Sequence, residues 1–183
     1  PKNESKLWFD YWKKRQVHEL TVWYEHNGSI VNPELYNRYG YVTTSLDNHM
    51  HGCRDLKDLY DLTSNRLVEI LPDIMKLYDA GYTIYITADH GNVYSHAWRT
   101  LNAQEKAMLY TNESRGGRHL IFTKEEHLKY FFHENPGLTD DMYIRGNYAV
   151  WRNAKCFKGE NEVTHGGCHF LEMIVPFAKI EKK

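Results

Sequence analysis

Residues 83–92, "TIYITADHGN", run from strand formers directly into an acid, an imidazole and a glycine. Thr83 to Ala88 is rich in β-branched and aromatic side chains, which predicts a short strand. Its apolar character predicts burial on both faces, as in a parallel sheet. Asp89 and His90 follow at the carboxyl end, and both are costly to bury unless something binds them. In a regular strand they would point to opposite faces, so they can share one ligand only in a turn.

Upstream of this strand, Leu67, Ile70, Leu71, Ile74, Leu77 and Tyr78 recur at helical spacing. They predict a helix from about Arg54, with Gly81 as its C-terminal stop and Pro72 as a point of kinking or division. Further back, "ELTVWY" (19–24) presents Leu20, Val22 and Tyr24 as one face of a strand, and Asn27-Gly28 marks a turn. "YVTTSL" (41–46) is a second β-branched run, in which Thr43, Thr44 and Ser45 are ordinary strand residues. Downstream, "RHLIFT" (118–123) predicts a strand, and Thr123 with Glu126 forms a capping-box signature for a helix through Phe132. "MYIRGNYAVWRNAKCF" (142–157) predicts a hairpin turning near Arg152-Asn153, and a last strand begins at about Phe177. The alternation of strands and helices predicts an α/β fold: a mostly parallel sheet flanked by helices, in a single domain over residues 1–183, with the status of 1–40 left open.

The bulk composition narrows the classes of function. Lys and Arg total 23 against 24 for Asp and Glu, so no charge excess points to nucleic acid or a membrane surface. Cys53, Cys156 and Cys168 are odd in number and lack CxxC spacing, which argues against a disulfide framework or a thiolate zinc site and favours a reducing, cytoplasmic setting. No apolar run is long enough for a membrane span, and the first residues do not have the pattern of a signal peptide.

Three polar clusters interrupt the apolar pattern: Asp47-x-x-x-His51-Gly52, Asp89-His90-Gly91 and Thr164-His165-Gly166-Gly167. Each follows a predicted strand or a glycine-marked loop. In open α/β sheets ligands sit beyond the carboxyl ends of strands, so these loops can converge although they lie far apart in sequence. Carboxylates and imidazoles together suit zinc, or manganese where oxygen ligands are added. Five such side chains nearly furnish two sites, and a metal pair stabilises the attacking and leaving oxygens in phosphoryl transfer. A lone Asp-His pair at a strand end is more often a cap or a turn; the combination of clusters is what favours metal.

The order of "LDNHMHG" (46–52), "ITADHGNVY" (86–94) and "THGGCHFLEMIVPF" (164–177) resembles the PglZ domain of the alkaline phosphatase superfamily. The resemblance covers roughly residues 40 to 180. It implies two divalent metal ions, zinc first and manganese as the alternative, with Asp47, His51 and His165 on one and Asp89 and His90 on the other. His49 is the alternative to His51, but it breaks the Asp-x-x-x-His spacing. The resemblance also implies phosphoesterase activity on phosphodiesters or nucleotides, nucleic acid included as a substrate, in anti-phage BREX defence or signalling. The superfamily's nucleophile and an earlier Asp have no counterpart here. The chain therefore looks like the C-terminal portion of a larger, here incomplete, domain, with no catalytic nucleophile of its own. The other reading is a noncatalytic interaction module that keeps the fold and binds a defence-system or signalling protein.

Lesser candidates are weaker. Arg115 and Arg118, beside Gly116-Gly117, could present cations to a phosphate; the plain reading is a solvated turn. Trp151, Arg152, Lys155 and Lys158 mix aromatic and basic groups that could stack on nucleic acid, against a solvated hairpin. His169 is expected to pack or hydrogen-bond, and Cys53 and Cys168 to act as small buried hydrophobes.

Overall fold

The computed structural model describes residues 3–110 and 117–182. In chain order its first elements are α1 (Glu4–Lys14), β1 (Val22–His26), β2 (Arg38–Val42), α2 (Ser45–Met50), α3 (Leu56–Asp79), β3 (Ile84–Thr87), β4 (Val93–Ala97) and α4 (Ala103–Ala107). Then come β5 (His119–Ile121), α5 (Glu125–Glu134), β6 (Met142–Arg145), β7 (Tyr148–Trp151), β8 (Lys155–Cys156), β9 (Glu162–Thr164), α6 (Phe170–Met173) and β10 (Phe177–Ile180). The fold is mixed α/β, and the chain forms two compact units.

The first unit comprises Pro1–His49, Asp61–Ile86 and Ala178–Lys183. Its core is Ile30, Leu77 and Ile84, enclosed by Tyr39, Tyr41, Ile74, Tyr78 and Tyr82. α3 supplies Ile74, Leu77 and Tyr78 from one face, as their spacing predicts. It runs unbroken through Pro72, so the expected division does not occur. The helix ends at Gly81, whose φ of 85° is the left-handed value that favours glycine. There Gly81 N–H donates to the Tyr78 carbonyl and Tyr82 N–H to that of Leu77, which closes a Schellman motif. β1 and β2 pair in parallel. The "YVTTSL" run does not continue as a strand, because β2 ends at Val42 and Ser45 already opens α2. β3 is not buried on both faces: Ile84 is 8% exposed and Tyr85 59%, and the strand pairs with β10 in a two-stranded sheet.

The second unit comprises Met50–Tyr60 and Thr87–Phe177. Its core packs Trp151, Phe122, Leu120, Phe131 and Phe157 between α5 and the β5-β7-β6 sheet. A second sheet has the order β8-β4-β9. β4 is parallel to β8, whereas β4–β9, β5–β7 and β6–β7 are antiparallel. The expectation of a mostly parallel sheet is thus corrected. Only Gly146 and Asn147 separate β6 from β7, and so short a link joins antiparallel strands. Gly146, at φ 57°, makes that turn, which places it six residues before the predicted Arg152-Asn153. The Thr123–Glu126 capping box does not form either. α5 begins after Lys124 with no side-chain cap, and Thr123 Oγ1 lies instead 2.7 Å from His127 Nδ1. A complete capping box does stand at Asn102 and Glu105 of α4. Among the described residues no helix is long and apolar enough to cross a membrane.

Candidate metal centre

Strand register brings two of the three polar clusters together. β9 pairs antiparallel with β4 so that Thr164 lies opposite Val93. His165 leaves β9 just where the chain enters β4 from the Asp89-His90-Gly91 loop. The His90 and His165 rings stack with centroids 3.9 Å apart and planes 15° from parallel, and each offers a ring nitrogen within 4.8 Å of the other's. His51 joins them, its ring 5.5 Å from that of His165. His165 is the buried member, at 4% exposure, whereas His90 is half-buried and His51 exposed.

The hydrogen bonds of His90 define its tautomer. Nδ1 lies 3.1 Å from the Gly91 carbonyl oxygen, which can only accept, so Nδ1 carries the proton. In the neutral ring this contact leaves the lone pair on Nε2, the form in which imidazole binds a metal. Asp89 is 91% exposed at its side chain; its carboxylate accepts the backbone N–H of His90 at 3.1 Å and lies 3.7 Å from the ring Nε2. Asp47 is half-buried on α2, in the first unit. His49 is occupied elsewhere, with Nδ1 2.7 Å from the Ser45 carbonyl oxygen and Nε2 3.5 Å from Arg66.

The donor chemistry fits a borderline divalent ion, since neutral imidazoles and carboxylates are the ligands zinc and manganese take. Two buried acceptors at the same strand junction, Asn92 Oδ1 and Thr164 Oγ1, have no hydrogen-bond partner among the described residues. A polar guest at this point is consistent with both.

The remaining sequence candidates fall differently. Arg115 lies outside the described residues. Arg118 is fully buried, contrary to the plain expectation of a solvated turn. Its guanidinium grips Glu172 through Nε to Oε1 at 3.0 Å and Nη2 to Oε2 at 2.5 Å, and also donates to the Lys155 carbonyl. Trp151 is completely buried and cannot stack on nucleic acid, while Lys155 Nζ pairs with Asp141 at 2.7 Å. His169 hydrogen-bonds as expected: its Nδ1 accepts the Leu171 N–H at 3.2 Å at the start of α6. Cys53 and Cys168 are half-buried, and burial pushes both thiols up, away from the thiolate form. Glu172 received no role from sequence reasoning. Its signal was a Glu three residues after His169, the capping-box spacing, obscured because His is not a usual N-cap.

His119 supports the same loop from below. Its Nδ1–H donates to the Gly166 carbonyl at 3.1 Å, and burial holds its pKa under the ordinary 6.5. The folded state therefore prefers neutral His119. Stability from this residue is present above pH 6.5 and is lost as pH falls through the depressed folded value, because the unfolded chain binds the proton first. Urea unfolding at about pH 7.5 and about pH 5.5 checks this across the histidine range. The wild-type protein loses more stability on acidification than His119→Gln; equal losses would contradict the assignment.

Residues 40–180 match an alkaline phosphatase-like domain, well over half of the chain. The chain belongs to the PglZ family, described as the BREX system PglZ alkaline phosphatase-like domain. No curated protein matches it.

Proposed function

We propose that this chain carries the metal-ligating part of a phosphoesterase that cleaves phosphodiesters or nucleotides. The observation that carries the reading is the stack of His90 on His165 at the β4–β9 junction in a chain of the PglZ family. His51 and His165 hold one divalent ion, and Asp89 and His90 contribute to a second; Asp47 is assigned as a ligand by its motif alone. Zinc is the first choice and manganese the alternative. When bound, such a pair polarises the phosphoryl oxygens and supports the leaving oxygen. The chain's own part is to hold lone pairs in place. The Gly91 carbonyl keeps the His90 proton on Nδ1, and the burial of His165 holds its ring between two other imidazoles. No residue of this chain is assigned as nucleophile. The setting we propose is cytoplasmic phage defence, with a defence-system or signalling protein as partner.

The test is metal content together with hydrolysis of a chromogenic phosphodiester by the full-length protein. Bound zinc or manganese and a loss of activity of at least about 100-fold in Asp89→Ala are expected, the scale on which removing a directly acting group is felt. A metal-free wild-type protein, or undiminished activity in Asp89→Ala, overturns the reading. A second reading, a noncatalytic binding module, is favoured by one observation: Phe170, Met173, Ile174 and Phe177 are all exposed in one short segment. It predicts partner binding that survives Asp89→Ala, with no hydrolysis by the full-length protein.

A further inference from the structure

Glu172 touches both histidine-bearing loops. Its carboxylate accepts the N–H of Gly167 at 2.8 Å through Oε1 and that of His169 at 3.1 Å through Oε2, which ties down the turn that follows His165. Its backbone carbonyl accepts the Gly91 N–H at 2.9 Å, which ties down the turn that carries His90. The side chain is itself held by the two bonds from fully buried Arg118, and both partners of this pair are shielded from solvent. The packing leaves no slack: a Cβ on Gly167 would fall 2.5 Å from Arg118 Nη2 and 2.8 Å from Glu172 Oε2. Gly166 before it has a φ of 103°, a conformation that favours glycine, and its carbonyl is held by His119.

We infer that Glu172, locked by Arg118, is the positioning residue that sets the separation of His90 and His165. The inference rests on the metal-binding reading above and deepens it by naming what holds the ligands. A buried ion pair is weak evidence for stability, since apolar replacements often serve as well. This pair differs because its carboxylate also satisfies two backbone N–H groups of a ligand-bearing loop. Groups that orient metal ligands in this way typically alter metal affinity by about 10–100-fold when removed.

The experiment is titration of the metal-free full-length protein with Co²⁺, read by visible absorption, beside thermal unfolding of the same metal-free samples. Glu172→Asp keeps the charge opposite Arg118 but shortens the reach to Gly167 and His169. It is expected to weaken Co²⁺ binding by about 10–100-fold and to change the shape of the Co²⁺ spectrum. Arg118→Met/Glu172→Gln removes both charges together and guards against a variant that fails to fold through an unpaired buried cation. It should unfold near the wild-type temperature yet bind Co²⁺ more weakly. Wild-type affinity and spectrum in both variants overturn the inference and leave the metal site standing. Failure of the wild-type protein to bind Co²⁺ overturns the metal reading itself, and the inference with it.

Discussion

His165→Ala is expected to lower the affinity for Zn²⁺ by more than about 100-fold, beyond the range of changes to groups that merely orient a ligand. His165 is the central ring of the cluster, stacked on His90 at 3.9 Å and 5.5 Å from His51. It is also the buried one, so water has little access to replace it as a ligand. His51→Ala should cost less, because His51 is exposed and a water molecule can take its place. The metal-free protein should also lose stability in His165→Ala, about 1 kcal/mol for the ring–ring contact plus the cost of the buried space it vacates. Calorimetric titration with Zn²⁺ and thermal unfolding of the metal-free protein separate the two effects. If affinity is unchanged while stability falls, His165 is a packing residue and the proposed centre is wrong.

Gly91→Ala is the second large effect, and it acts through the backbone. An added Cβ would run directly into the Leu171 carbonyl oxygen, and would lie 3.0 Å from the carbon of that carbonyl and 3.1 Å from the Ile174 oxygen. These are backbone atoms, so no side chain can swing aside. Relief requires α6 to move away from the His90 loop, with loss of the Gly91 N–H bond to Glu172. Overpacking of this kind costs about 1–3 kcal/mol, and a lost hydrogen bond adds about 1 kcal/mol. A fall in melting temperature of about 6–12 °C follows for a chain of this size. Gly137→Ala is the control, since a Cβ there meets nothing within 4 Å. Equal melting temperatures for the two variants would show that α6 does not pack against this loop. Metal affinity should fall with stability in Gly91→Ala, because the same shift moves His90.

Features governed by neighbours in sequence were legible. Gly81 ends α3 because a left-handed residue is needed there, and Asn27, at φ 58°, follows β1 in the turn expected of Asn-Gly. β10 begins at Phe177 as its apolar run suggested. Strand direction was less legible, because a short apolar run reads alike in parallel and antiparallel sheets. The hairpin turn was misplaced because both Gly146-Asn147 and Arg152-Asn153 offer turn residues; burial of Trp151 in the core then requires β7 to continue through it. Arg118 misled for a similar reason. An arginine beside glycines looks solvated until a distant carboxylate, Glu172, is found to bury it.

By itself the sequence determined the family, the three clusters of ligand-type residues and the local stops and turns, since each depends on residue type at short spacing. Only the tertiary structure decided that His165 rests on His90, that Asp89 faces solvent and that Glu172 fastens both loops. The ring stack depends on the register of β4 and β9, and the burial of Glu172 on charge pairing with Arg118, 54 positions away. No local pattern encodes such contacts; the free energy of the packed whole selects them.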